Sequence, residues 1–211
     1  MNGIWGIYLL SWLILLLLGY FLGCLNGSVM ISHFVIRDDV RQHGSGNAGL
    51  TNFYRTYGAR YALGVILFDM GKTVLACLLG GLVMRYLAGD WRLGVLLGGL
   101  GCELGHMFPV FFGFKGGKGV SSTCGVMLMT FWWQALICYV ITIALIAITK
   151  FVSLGSLALV VLFGILVTAT NWGNWLVIAW VWVIAGLCIY RHHANIGRLI
   201  HGTERKIGQK A

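Results

Sequence analysis

Hydrophobic positions in this chain run in long unbroken blocks, without the polar face of a water-exposed helix or the alternation of a half-buried strand. The blocks fall near residues 4–36, 61–84, 93–112, 120–149, 152–170 and 175–190. Several approach or exceed the roughly 20 residues that an α-helix needs to span a bilayer. A helix apolar all round is buried in a core or in lipid, and this many exceed what one core can cover. The pattern predicts an all-α, polytopic integral membrane helical bundle, forming one domain over 1–211.

Composition sharpens this. Of 211 residues, 59% are hydrophobic and only 10% charged, where a soluble domain carries about 25% charged residues. So few charges would not cover a folded surface in water, which excludes a soluble enzyme, a secreted disulfide scaffold and a disordered chain. The six cysteines lie in or against apolar blocks without metal-ligand spacing, and read as small packing residues. The first block resembles a signal-peptide core, but it lacks a basic start and runs on to Ile36. It is therefore expected to be a retained span.

The net charge of +9 is unevenly spread. Arg37, Arg41, Arg55 and Arg60 occupy segment 37–60, and Lys115 and Lys118 occupy segment 113–123. Lys150 stands alone, and Arg191, Arg198, Arg205, Lys206 and Lys210 occupy segment 191–211. Basic loops stay cytoplasmic, so an outside (periplasmic) N-terminus puts the first two clusters inside. For the tail to join them, the chain must cross an even number of times between Lys118 and Arg191, which three blocks allow if 120–149 is two short helices, near 120–131 and 134–149. Trp132-Trp133-Gln134 suits an interfacial turn there, as do Trp172 and Trp175 with Asn171 and Asn174. This predicts seven transmembrane helices with a cytoplasmic C-terminus. The alternative is five, with 120–149 as one helix and 152–190 as one broken helix.

The three polar segments then share one face. The first reads Gly44-Ser45-Gly46-Asn47-Ala48-Gly49-Leu50-Thr51-Asn52, with Arg55 beyond. Its glycines permit conformations closed to other residues. Free amides with the Ser45, Asn47, Thr51 and Asn52 side chains would form an anion nest, and Arg55 adds a fork that matches phosphate. In the second, Pro109 stops a helix and Lys115-Gly116-Gly117-Lys118-Gly119 leads into the next. A glycine loop opening a helix offers unpaired N–H groups to an anion. GxxxxGK[ST] spacing is absent, which disfavours a nucleoside triphosphatase.

The third segment reads Arg191-His192-His193-Ala194-Asn195-Ile196-Gly197-Arg198, with His201, Gly202 and Glu204 following. Neighbours on a helix point about 100° apart, whereas i,i+3 residues share a face. His192 with Asn195 is therefore the candidate pair, His193 faces outward, and Glu204 ties down the tail. Within the spans, Asp69 and Lys72 are i,i+3, pair with each other, and count among the substrate-binding candidates as ionisable groups in a membrane. Glu103 and His106 are expected to make helix–helix hydrogen bonds. Ser153 and Ser156, on one face after Lys150, offer hydroxyl donors.

The segments GSGNAGLTNFYR, GHMFPVFFGFKGGKGVSST and RHHANIGRLIHGTE resemble, in order and spacing, three motifs of the bacterial membrane glycerol-3-phosphate acyltransferase family that uses acyl-phosphate as donor. The resemblance extends over nearly the whole chain. It implies acyl transfer to the 1-hydroxyl of glycerol 3-phosphate, giving lysophosphatidate and phosphate, in the inner membrane with the site facing the cytoplasm. It carries onto Ser45 and Arg55, onto Gly116 to Gly119 with Lys118, and onto His192, Asn195 and Glu204. Asp69 and Lys72 match a D-x-x-K-G element in which Thr73 replaces the glycine. Leu50, Ser121-Ser122-Thr123 and Glu103 also depart from the pattern, outside its core positions.

The residues lead to the same chemistry, since two anion cradles on the inner face of a lipid-embedded bundle suit two phosphate-bearing substrates. Ser45, Arg55, Lys118, His192 and loop amides would hold the phosphates electrostatically. The hydroxyl proton goes either to a substrate phosphate oxygen or to His192. No cofactor, metal or nucleic acid is expected. Expected partners are acyl-phosphate, glycerol 3-phosphate, membrane lipid and a soluble enzyme that forms the donor. His33 and Asp38 show the His-x4-Asp spacing of another acyltransferase class, an incidental pair where the first block ends. A transporter would want charges near the bilayer midplane, and here they gather at one end.

Overall fold

The computed structural model describes residues 2–209, with side chains from residue 6 onward; Lys210, counted above in the basic tail, lies outside them. Among the described residues there is no strand. Ten α-helices follow one another: α1 (Asn2–Cys24), α2 (Gly27–Ile31), α3 (Leu50–Tyr57), α4 (Ala59–Ala88), α5 (Trp91–Met107), α6 (Val120–Thr130), α7 (Trp132–Thr149), α8 (Val152–Thr170), α9 (Trp175–Arg191) and α10 (His193–Ile200).

Helix α5 is the axis of the bundle, packed between α1 and α4 at backbone distance. Glycines make this approach possible, as small residues do between membrane helices. A methyl group added at Gly101 or Gly105 would run into the α1 carbonyls of Leu16 and Tyr20, and one at Gly98 into the α4 carbonyl of Ala76. Helices α6, α8 and α9 close the second side, where Val126, Met127, Phe131, Phe163, Val181 and Ile184 form one apolar cluster. The outward faces of α1, α4 and α7 expose leucine, isoleucine and valine, the surface expected against lipid.

Segments Gly6–Ile36, Ala59–Ala88, Trp91–Phe112, Trp132–Thr149 and Val152–Thr170 are long and apolar enough to cross a membrane. The α9–α10 pair, bent by 61°, adds a sixth candidate, and α6 is shorter. The first block is not one helix. It breaks after Cys24, and Asn26 restarts it by accepting from the Val29 amide at 3.1 Å, an N-cap. Block 120–149 breaks at Phe131, one residue before the tryptophan pair, and block 152–190 breaks at 171–174. Trp132 and Trp172 are exposed at these breaks. Gln134 is buried, however, and donates to Thr170 at 3.2 Å, which places both breaks at the same end.

The polar segments meet at the opposite end. Arg191 reaches the carbonyls of Gly116 and Gly117, Lys118 reaches Asn195, and Arg55 reaches the Arg205 carbonyl. Lys150 does not stand alone, because its carbonyl accepts from the Ile207 amide at 2.8 Å.

Candidate active site

Segment 37–60 folds around Asn52. Its Nδ2 donates to the carbonyls of Val40 (3.1 Å) and His43 (3.0 Å), and its Oδ1 accepts from the Ser45 amide (3.0 Å). The Gly46 amide is bound to the His43 carbonyl. Two amides of the 44–52 segment, those of Ser45 and Gly46, are therefore occupied within the loop, while α3 opens at Leu50 with no side-chain cap. Gly44 and Gly46 hold left-handed backbone (φ +58° and +69°), and they shape the turn. What the segment contributes to the interior is side chains: Ser45, Asn47, Thr51 and Arg55.

Segment 113–119 is held against the end of α5. The Gly117 amide donates to the His106 carbonyl at 3.0 Å, and Arg191 binds the two glycine carbonyls from above. A methyl at Gly117 would strike the His106 ring. Gly119 is left-handed (φ +86°) and lies over Glu103 and Met107 with no space for a side chain. The α6 N-terminus follows immediately, and the first-turn amides of a helix have no acceptor inside it.

The third segment turns at the α9–α10 bend. His192 is buried, and its Nδ1 lies 2.8 Å from the Cys188 carbonyl. That nitrogen must carry the proton, which leaves Nε2 as an acceptor in the neutral ring. His193 is exposed. Asn195 accepts from Lys118 Nζ at 2.6 Å and donates to Glu204 Oε1 at 2.7 Å. The same oxygen accepts from Ser153 (2.8 Å), while Oε2 accepts from Arg198 (2.7 Å). Burial alone would raise the Glu204 carboxyl, but these three donors hold it below its ordinary value. Burial lowers Lys118 to about 8, with Arg198 and Arg55 adding repulsion and Glu204 opposing it.

These groups enclose a cavity of about 120 Å³. Ser45, Asn47, Thr51, Asn52, Arg55, Lys118, Gly119, Ser153, His192, Asn195 and Glu204 line it. Three cations (Arg55, Lys118 and Arg198) face one carboxylate among the lining residues, and the Arg55 Nε is buried without a partner. The chemistry available is electrostatic capture of an anion beside an imidazole acceptor and several hydroxyls.

Other expected residues lie elsewhere. Asp69 and Lys72 do pair, at 2.8 Å and fully inside the protein, but they do not line the cavity. Lys72 donates to the Gly23 and Leu25 carbonyls and Asp69 accepts from the Gly27 amide, so the pair satisfies the backbone ends of the α1–α2 break. Lys115 is exposed in a separate depression with Asp39, Arg41, Gly46 and Phe112. Gly116 and Gly117 shape the loop behind the lining. Asp38 is bound by His43 and Tyr57 (2.8 and 2.9 Å), while His33 packs on Phe34. Glu103 accepts from Thr123 of α6 at 3.0 Å, a helix–helix bond.

Sequence reasoning passed over Arg198 and His106, both of which line the cavity. For Arg198 a signal was present, since it lies three residues after Asn195 and shares its helix face. Among the described residues, no three His, Cys, Asp or Glu side chains cluster to hold a metal ion.

The family model for glycerol-3-phosphate acyltransferase matches residues 13–202. A glycerol-3-phosphate acyltransferase of Thermoanaerobacter pseudethanolicus is 37% identical over 194 residues, covering 92% of this chain and 94% of that protein. One from Shouchella clausii is 41% identical over 197 residues, with 92% and 95% covered. The crystal structure of PlsY, an integral membrane glycerol 3-phosphate acyltransferase in its glycerol 3-phosphate form, superposes with a TM-score of 0.84 at 33% identity. It covers 94% of this chain and 96% of its own; the lysophosphatidic acid form gives 0.80. With motifs, fold and sequence in agreement over nearly its full length, this chain belongs to the glycerol-3-phosphate acyltransferase family of integral membrane enzymes.

Proposed function

We propose that this enzyme transfers a fatty acyl group from acyl-phosphate to the 1-hydroxyl of sn-glycerol 3-phosphate. The observation that carries the reading is the cavity itself, with Arg55, Lys118 and Arg198 converging beside Ser45 and His192 at one end of an apolar bundle. Both substrates bring phosphate to such a place, and the bundle offers the donor's alkyl chain a lipid environment. The acceptor hydroxyl oxygen bonds to the acyl carbon, and the bond from that carbon to the phosphate oxygen breaks. Lysophosphatidate and inorganic phosphate leave. Preorganised donors at the departing phosphate stabilise charge as it develops, and losing one of this kind typically costs about 10²–10³ in rate.

The hydroxyl proton passes to a phosphate oxygen of the substrate, because the acyl-phosphate already has a good leaving group. His192, with its Nε2 lone pair, is the rival acceptor. His192→Ala that loses rate without a change in pH profile removes that rival. The membrane arrangement that goes with this reading is seven spans, counting the short α6, with the N-terminus outside and the cavity facing the cytoplasm from the inner membrane. Alternating helix directions and tryptophans at the far breaks support it. A soluble enzyme that makes acyl-phosphate is the natural supplier of the donor.

The test is phosphate release from palmitoyl-phosphate by the purified protein in detergent, with and without glycerol 3-phosphate. Release that depends on the acceptor supports the reading. Turnover with acyl-CoA and none with palmitoyl-phosphate would overturn the donor and keep the acyltransferase.

A further inference from the structure

Beneath the cavity lies a buried polar centre that the helix break alone does not account for. Lys72 Nζ sits among four acceptors: the Leu25 and Gly23 carbonyls, Asp69 Oδ1, and the Nδ1 of His106 at 3.2 Å. The Nδ2 of Asn26 approaches the same Nδ1 at 3.5 Å while also donating to the Ala48 carbonyl at 3.1 Å. One buried cluster therefore touches the α1–α2 break, the first polar loop at Ala48 and, through His106, the second loop at Gly117.

The chemistry of these neighbours fixes the imidazole. An ammonium has hydrogens and no lone pair, so a bare Nδ1 at 3.2 Å is the form that its charge favours. Asp69 Oδ1 is farther from Nδ1, at 3.5 Å, and is already engaged by Lys72 and the Gly27 amide. In the neutral ring the proton then resides on Nε2. The structure gives Nε2 no hydrogen-bond partner; it faces Gly117, where a side chain would strike it, and His106 lines the cavity beside Gly119 and Ser121. His106 thus brings a neutral N–H without a hydrogen-bond partner to the lining of the anion cavity, packed against Gly117. His192 presents the opposite tautomer, protonated at Nδ1 and accepting at Nε2.

We infer that His106 is a further substrate-contacting residue, whose Nε2–H donates to a phosphate oxygen seated beside Lys118 and Gly119, with Lys72 and Asn26 holding the tautomer. This rests on the reading of the cavity as the phosphate site. The His106 side chain is separable from the loop anchor, because the Gly117 amide binds the His106 backbone carbonyl.

Two measurements test it. The full-length protein with [15N]histidine, in detergent micelles, gives signals for its six histidines, and His106→Gln identifies the one from His106. The expected signal has a bare Nδ1 and a protonated Nε2, and it moves when glycerol 3-phosphate is added. A proton on Nδ1, or a signal that ignores the ligand, would overturn the inference. That titration uses no acyl donor, so an error about acyl-phosphate would leave its outcome standing. In kinetics, Gln places an amide N–H near the position of Nε2. His106→Gln is expected to keep KM for glycerol 3-phosphate within about threefold, and His106→Leu to raise it about tenfold with a smaller change in kcat, the size expected for a lost bond to a charged group. Equal effects of Gln and Leu would contradict a donor role.

Discussion

Two glycine-rich loops border the cavity and touch at Ala48 and Gly117, and they differ in how tightly their glycines are packed. In 44–49 Gly44 and Gly46 supply left-handed turns, and the Ser45 and Gly46 amides are taken up by Asn52 and the His43 carbonyl. That loop delivers side chains. In 116–119 Gly119 is left-handed as well, but all three glycines pack on the end of α5, where His106, Met107 and Glu103 leave no space. That loop delivers a lysine and the start of α6. Both loops lead into a helix that borders the cavity, α3 at Leu50 and α6 at Val120, but the first binds two of its own amides internally while the second packs its glycines on α5.

The largest effect expected from this contrast is at Lys118. Lys118→Ala should lower kcat/KM about 10²–10³-fold, measured as acceptor-dependent phosphate release. Gly117→Ala comes next, since its methyl meets the His106 ring and the Ala48 carbonyl. It should cost more activity than Gly46→Ala, which meets only the Arg41 carbonyl at 3.4 Å and bears about 1–2 kcal/mol of left-handed strain. Parallel assays of the two variants would break the comparison if the order reversed. Asn52→Ala leaves the Ser45 amide without its acceptor and takes one of two donors from each of the Val40 and His43 carbonyls, and should destabilise the fold by about 1–3 kcal/mol, read as a lower thermal midpoint in detergent.

A smaller effect is expected with pH. Lys118 is charged below about 8 and neutral above it, so anion capture weakens as pH rises through that value. The kcat/KM profile, which reports the free enzyme, should fall on that limb. Lys118→Arg, charged at all accessible pH, should move the fall to higher pH. The smallest effect is His33→Ala, which should retain wild-type turnover because Asp38 is bound by His43 and Tyr57.

Much of this was legible before the structure. Apolar runs announce helices in lipid, and the breaks near Phe131 and at 171–174 were signalled by tryptophans beside polar residues. The choice of His192 over His193 follows from helix geometry once Asn195 shares its face. Lys115 and Lys118 are different, because they lie in a loop with no periodicity to sort them, and only the packing of Gly116 and Gly117 on α5 turns one inward. Asp69 and Lys72 are recognisable as a pair, but their task of satisfying the ends of α1 and α2 depends on a break marked only by the short polar interruption Asn26-Gly27-Ser28 in an apolar block. Asn52 reads as a ligand group because nothing local says that Val40, His43 and Ser45 come within its reach.

The most direct test compares the two lysines of the second loop side by side. Acceptor-dependent phosphate release from palmitoyl-phosphate would be measured for Lys118→Ala and Lys115→Ala at matched concentrations of folded protein. The account predicts a loss of about a hundredfold or more at Lys118 and turnover near wild type at Lys115. Equal losses, or the larger loss at Lys115, would contradict the assignment of the cavity as the site of acyl transfer.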